Sequence, residues 1–185
     1  MKVCEEFYIN GEWVKPVNDL KTLDVINPAT EEVFGRIALG DKDDVDAAVE
    51  AAYNAFESFG YSSVEERVSL LEKILEVYQG KYDEIAETIS SEMGAPIGLS
   101  KAAQAATGLG HFSTALETLK NYKFEEVKGS ALIRKEPIGV VGMITPWNWP
   151  INQISCKVGP GPTLHEIWFI AVSYTHLTLP TKRIV

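Results

Sequence analysis

The residues whose types and spacing suit chemistry are concentrated in six consecutive positions, Thr145-Pro146-Trp147-Asn148-Trp149-Pro150. Two tryptophans and two prolines around one asparagine are the least generic stretch of the chain. Asn148 carries a primary amide whose two N–H groups can steady negative charge developing on a carbonyl oxygen without any change of protonation state. Removing one such donor from an active site typically costs about 2.7 to 4 kcal/mol of barrier height. An asparagine at this position can equally cap the helix that follows. Residue type alone leaves both roles open.

The run leading into this loop, Ile138 to Ile144, is apolar and bounded by prolines. Such a run suits a central strand covered by helices on both faces. Open α/β sheets bind their ligands at the carboxyl ends of strands, where Asn148 stands, and a polar helix start (Ile151, Asn152, Gln153) follows it.

Other candidates carry less. Cys156 is near Asn148 in sequence, but no histidine, lysine or helix N-terminus dedicated to activating its thiol is evident beside it. Gly108-Leu-Gly-His111 begins like a dinucleotide fingerprint, yet the third glycine is missing and the context is mid-helix. His111, His165 and His176 are too scattered for one metal, so no metal site is expected. Cys4 and Cys156 lack the close spacing of a zinc site or disulfide framework and read as reduced thiols.

The elements that must position Asn148 are legible from local signals. Residues 7–15 read as a hairpin around Asn10-Gly11, a pair suited to a type I′ turn. A second extended pair runs from Leu23 to Leu39 around Asn27-Pro28-Ala29-Thr30. From Asp41 the period becomes helical, with Val45, Val49, Ala52 and Phe56 as its apolar stripe, Asp41 as cap and an end near Gly60. Ser62 or Ser63, each followed by a glutamate three residues on, opens a second helix. Its stripe is Val68, Leu71, Leu75, Tyr78, Tyr82, Ile85 and Ile89, with Gly80 as a possible break and Met93-Gly94-Ala95-Pro96 as the stop. A third helix spans Ser100 to Lys120. Extended segments follow at 124–127 and 131–134.

The 185 residues contain 17 Lys plus Arg against 26 Asp plus Glu, a formal net charge of −9, with 45% hydrophobic residues. That is the composition of a globular chain about one domain long. Its acidity argues against nucleic acid and anionic lipid as partners. The acidic start and the lack of an 18-residue apolar run predict a cytoplasmic protein with no membrane span.

Glu136-Pro-Ile-Gly-Val-Val-Gly-Met-Ile-Thr-Pro-Trp-Asn-Trp-Pro150 resembles the signature of the NAD(P)-dependent aldehyde dehydrogenases. So do Phe7-Tyr-Ile-Asn-Gly-Glu-Trp13, the block from Val25, the helix from Asp44 and Ser91-Glu-Met-Gly-Ala-Pro96, all in the family's order. The resemblance covers residues 7 to 158. It implies an α/β fold: the N-terminal part of a Rossmann-like cofactor-binding domain of the aldehyde dehydrogenase fold, with β-hairpins, three amphipathic helices and an incomplete sheet. It further implies that Ile144, Thr145, Pro146 and Trp147 lie along NAD or NADP, and that Asn148 is the oxyanion donor. An aldehyde would be oxidised to a carboxylic acid through a cysteine thiohemiacetal and a thioester. Strands around residues 123–136 would include a small oligomerisation arm, making full-length members homo-oligomers (dimers or tetramers).

The departure lies after Val158, where the family's Lys-Pro-Ser-Glu-type strand end does not follow. The nucleophilic cysteine and general-base glutamate motifs are missing too. Residues 1–158 are therefore expected to be a partial cofactor-binding domain, and residues 159–185 a non-family tail, most simply a cloning or assembly artefact. Such a piece is expected to be inactive alone and to leave a strand edge and apolar surface uncovered. The alternative is a non-catalytic assembly or interaction fragment.

Overall fold

The computed structural model describes residues 2–161 and, as backbone, 167–173. The chain opens with β1 (Lys2–Cys4), β2 (Phe7–Ile9) and β3 (Glu12–Val14), followed by β4 (Lys21–Ile26) and β5 (Val33–Leu39). Strands β2 and β3 pair antiparallel with Phe7 opposite Val14, and Asn10 and Gly11 both take positive φ (53° and 82°), as the expected turn requires. The second pair is also antiparallel, from Lys21 opposite Leu39 to Ile26 opposite Val33. In its connecting turn the Asn27 side chain accepts the Ala29 N–H at 2.9 Å. Strand β1 adds to β5 in parallel, giving the order β1-β5-β4.

Helix α1 (Lys42–Phe59) is closed at its start by a reciprocal capping box between Asp41 and Asp44. Its inward face differs from the one expected. Asp44 and Ala52 are buried and Ala47, Ala48, Ala51 and Phe56 half-buried, while Val45 and Val49 are exposed. Asp44 fixes this rotation: its carboxylate accepts the Val17 N–H at 2.8 Å and the Asp41 N–H at 2.9 Å, so the alanine face turns inward.

Helix α2 (Val64–Gly80) starts on the Ser63–Glu66 capping box. The long stripe does break at Gly80, and α3 (Tyr82–Met93) continues after Lys81. It ends at Gly94, whose φ of 75° is the left-handed stop anticipated there. The expected third helix starts earlier and is not uniform. A short turn, α4 (Ile97–Leu99), passes into a π-helical stretch, Ser100–Gln104, and then into α5 (Ala105–Asn121). Within the π stretch Ser100 and Gln104 are buried, and Gln104 Oε1 has no hydrogen-bond partner among the described residues. An inserted π turn re-phases the residues after it, a change that a 3.6-residue pattern does not reveal.

The core lies between α2 and α5. Leu71, Tyr78, Phe112, Ala115 and Leu119 form one buried cluster, with Val68, Leu75, Tyr82 and Ile85 packed against it, so the long stripe is indeed core. Full burial of Leu71 and Leu119 contributes about 1.5–3 kcal/mol each. A third hairpin, β6 (Glu125–Lys128) with β7 (Ala131–Arg134), stands away from this core and is exposed throughout. Strand β8 (Val140–Thr145) then leads to α6 (Pro150–Val158), and β9 (Ile167–Ser173) pairs parallel with β8.

Strand β8 has β9 on one edge, with Val140 opposite Ile167 and Thr145 opposite Ser173, and among the described residues its other edge is open, as an incomplete sheet implies. One expectation about β8 needs correction, because it is not covered on both faces: Met143 and Thr145 are buried, but Ile144 is 69% exposed. An all-apolar run does not distinguish a strand covered twice from one covered once.

Candidate active site

Strand β8, the loop 146–149 and α6 form one continuous strand–loop–helix unit. Alternation along β8 decides what each expected cofactor-facing residue presents. Thr145 turns inward and is 3% exposed, whereas Ile144, Pro146 and Trp147 are all exposed. The loop therefore offers solvent an apolar ledge of three side chains, and Thr145 contributes backbone rather than hydroxyl. Trp149 is half-buried and anchors the far side of the loop.

Asn148 follows directly on this exposed run and is exposed itself, and its carboxamide has no hydrogen-bond partner among the described residues. The capping role open to it is not realised. Trp149, not Asn148, occupies the N-cap position of α6, and no side chain caps the helix. Pro150 follows as the first helical residue, where its missing N–H costs nothing and its fixed φ suits the turn. The first turn closes through the Gln153 N–H, which donates to the Trp149 carbonyl at 3.0 Å. Two amide donors thus stand free at the carboxyl end of a parallel strand, next to the positive end of a helix dipole.

Cys156 is set back from Asn148 along α6. It lies six residues into α6, about 9 Å along the axis from the first turn. Its thiol donates to the Gln153 carbonyl at 3.5 Å. A lysine does stand beside it, contrary to expectation: Lys157 Nζ is 4.0 Å from Sγ, an adjacency forced by sequence neighbours on one helix. Both cysteines are free thiols, Cys4 exposed and Cys156 half-buried.

The sequence reading missed one polar pair at the site. His111 of α5 and Asn152 of α6, both half-buried, meet with Nε2 and Oδ1 2.8 Å apart. In sequence His111 stands only beside a glycine pair and apart from the other histidines. No local signal links residues 41 positions apart. Two surface concavities, one against Leu75 and Leu116 and one against Cys4 and Trp13, are lined by none of residues 144–150.

The same backbone recurs in solved proteins. An aldehyde dehydrogenase from Bartonella henselae superposes with a TM-score of 0.88 at 41% identity, covering 92% of this chain and 36% of that one. A mutant of aldehyde dehydrogenase C from Pseudomonas syringae, solved with NAD+ and octanal, gives a TM-score of 0.90 at 39% identity, covering 93% and 35%. In sequence, a 3-succinoylsemialdehyde-pyridine dehydrogenase of a Pseudomonas species is 48% identical over 161 residues, 86% of this chain and 34% of that protein. A Staphylococcus aureus relative (strain bovine RF122 / ET3-1) is 53% identical over 151 residues. The chain spans about a third of the length of these curated relatives. The profile of the aldehyde dehydrogenase family matches residues 13–162, a stretch that begins within the first hairpin and runs through the Asn148 loop and α6, and on that match the chain belongs to this family.

Proposed function

We propose that this chain is the N-terminal part of an oxidoreductase that converts an aldehyde to a carboxylic acid with NAD+ or NADP+. In this reading Asn148 is the oxyanion donor. The carrying observation is its free, exposed carboxamide at the end of β8, with the capping position taken by Trp149. A carboxamide held there donates two N–H groups to a carbonyl oxygen as a thiolate attacks the carbonyl carbon, and it needs no proton transfer of its own.

Ile144, Pro146 and Trp147 fit one side of a dinucleotide, because they form an exposed apolar ledge at the place where parallel sheets bind such ligands. Thr145 would contribute its backbone, since its side chain is buried. When bound, the nicotinamide accepts the hydride that the aldehyde carbon gives up. The attacking cysteine belongs to the sequence beyond this chain, so the 185 residues alone should not turn over. Cys156 is not assigned that role, being two turns into α6 and bonded to the Gln153 carbonyl.

The family match carries the domain to residue 162, so in this proposal the stretch after it is the part with no function in the domain, and the working location is the cytoplasm. Strands β6 and β7 would be an assembly arm of a homo-oligomer, a reading supported by exposed Val127, Leu132 and Ile133 on a hairpin with no core of its own. The same arm supports the second reading, a non-catalytic assembly fragment. The deciding experiment joins residues 1–161 to the downstream two thirds of the Staphylococcus aureus relative and assays aldehyde-dependent NAD(P)H formation with and without Asn148→Ala. Unchanged turnover in the variant defeats the oxyanion assignment.

A further inference from the structure

Asn148 is on a loop, and its side chain makes no hydrogen bond among the described residues, so its position depends on what fixes the two elements beside it. One is β8, whose inward residues Met143 and Thr145 are buried. The other is α6. Near its C-terminal end α6 lies very close to α5: Ser155 is fully buried, and a Cβ placed on Gly159 would come 3.5 Å from the Ala115 Cβ and from the His111 carbonyl oxygen. That contact is steric, and it acts away from the loop. At the loop end the tie is polar. His111 to Asn152 is the one side-chain hydrogen bond between α5 and α6 among the described residues.

Asn152 is the third helical residue of α6, one position before the Gln153 N–H that closes the first turn onto the Trp149 carbonyl. Its Oδ1 can only accept, so His111 Nε2 carries the proton and donates. We propose that His111 is a positioning residue: by holding Asn152 it pins the first turn of α6, and through the Trp149 carbonyl it fixes the loop that presents the Asn148 carboxamide. The proposal rests on the oxyanion reading of Asn148 for its functional meaning, but the clamp itself can be read independently.

The test uses the 185-residue chain, 15N-labelled, with the exchange rate of the Gln153 amide as the reporter. His111→Phe keeps a ring but has no donor. His111→Gln keeps a donor that reaches as far from the backbone as Nε2. Loss of one hydrogen bond at a half-buried site should speed Gln153 exchange about fivefold in H111F. H111Q should restore the original rate, and H111F combined with Asn152→Ala should be no faster than Asn152→Ala alone. The imidazole 15N spectrum should show the Nε2–H tautomer. In the joined enzyme, H111F should lower kcat at constant KM and H111Q should recover it. Equal acceleration in H111F and H111Q, no acceleration in either, or an unprotected Gln153 amide in the unsubstituted chain would each overturn the clamp. If instead the exchange results hold and Asn148→Ala leaves turnover of the joined enzyme intact, the oxyanion reading falls and the clamp stands.

Discussion

Tyr78 and Gly108 are in a contact that admits no side chain at position 108: a Cβ built there would lie 2.2 Å from the Tyr78 hydroxyl oxygen and 2.7 Å from its ring carbon Cζ. The hydroxyl is held in place by donating to the Ala105 carbonyl at 2.7 Å, one turn earlier on α5. Glycine at 108 is there for the approach of α2 to α5, not for backbone freedom. Gly108→Ala is expected to destabilise the chain by about 1–3 kcal/mol through overpacking. Urea denaturation would read this as a lower midpoint, and an unchanged midpoint would show that α2 and α5 can separate at no cost.

Burial pushes the Tyr78 phenol up to about 12. A phenol that ionises near 10 when unfolded and near 12 when folded stabilises the protein fully below pH 10 and loses that contribution as pH rises toward 12. Stability should fall in this window by up to about 1.4 kcal/mol per pH unit beyond the fall seen in Tyr78→Phe. Thermal melts of the two proteins at pH 9 to 11.5 compare them directly. Parallel curves would mean that the phenol is not shielded from water.

At the acid end the sign reverses. The Ser63 backbone N–H, with its side chain second, holds the Glu66 carboxyl below the usual carboxylate range. Its contribution is present above the unfolded value of about 4.3 and is lost as pH falls through the lower folded value. Glu66→Gln should therefore flatten the decline of stability below about pH 4 while keeping an acceptor at the same place. Ser63→Ala removes the other half of the box and should cost about 1 kcal/mol at neutral pH. Circular dichroism of α2 on acid titration reports both.

For the joined enzyme, loss of the Asn148 donors should lower kcat by about 100- to 1000-fold with little effect on KM, since the interaction strengthens only as charge develops. Asn148→Asp should be slower still, because a carboxylate would face a developing oxyanion. Steady-state kinetics with one aldehyde decides both. An aspartate variant faster than the alanine one would place residue 148 outside the reaction centre.

What was legible in the sequence is what short-range chemistry dictates. Asn10-Gly11, Asp41 and Gly94 act on backbone within a few residues, so their turn, cap and stop are legible in the sequence, and the start of α2 is legible to within two adjacent serines, of which Ser63 is the cap. The Asn148 loop was legible for a related reason: its residue types are unusual and contiguous. The face of α1 was not legible. Valine outweighs alanine in any hydrophobic pattern, yet the tie from Asp44 to Val17 turns the alanines inward. Nor was the partner of His111, since the closeness of α5 and α6 is a property of packing at Ser155 and Gly159 and leaves no trace in spacing.

Pro146 and Pro150 bracket the loop that presents Asn148. Each ring removes a torsional degree of freedom in the disordered chain as well as in the native one, so little wandering remains to be suppressed when a molecule arrives. The disorder surrendered at this spot is given up during collapse of the polypeptide, so under the proposed function an incoming guest would find little left there to order.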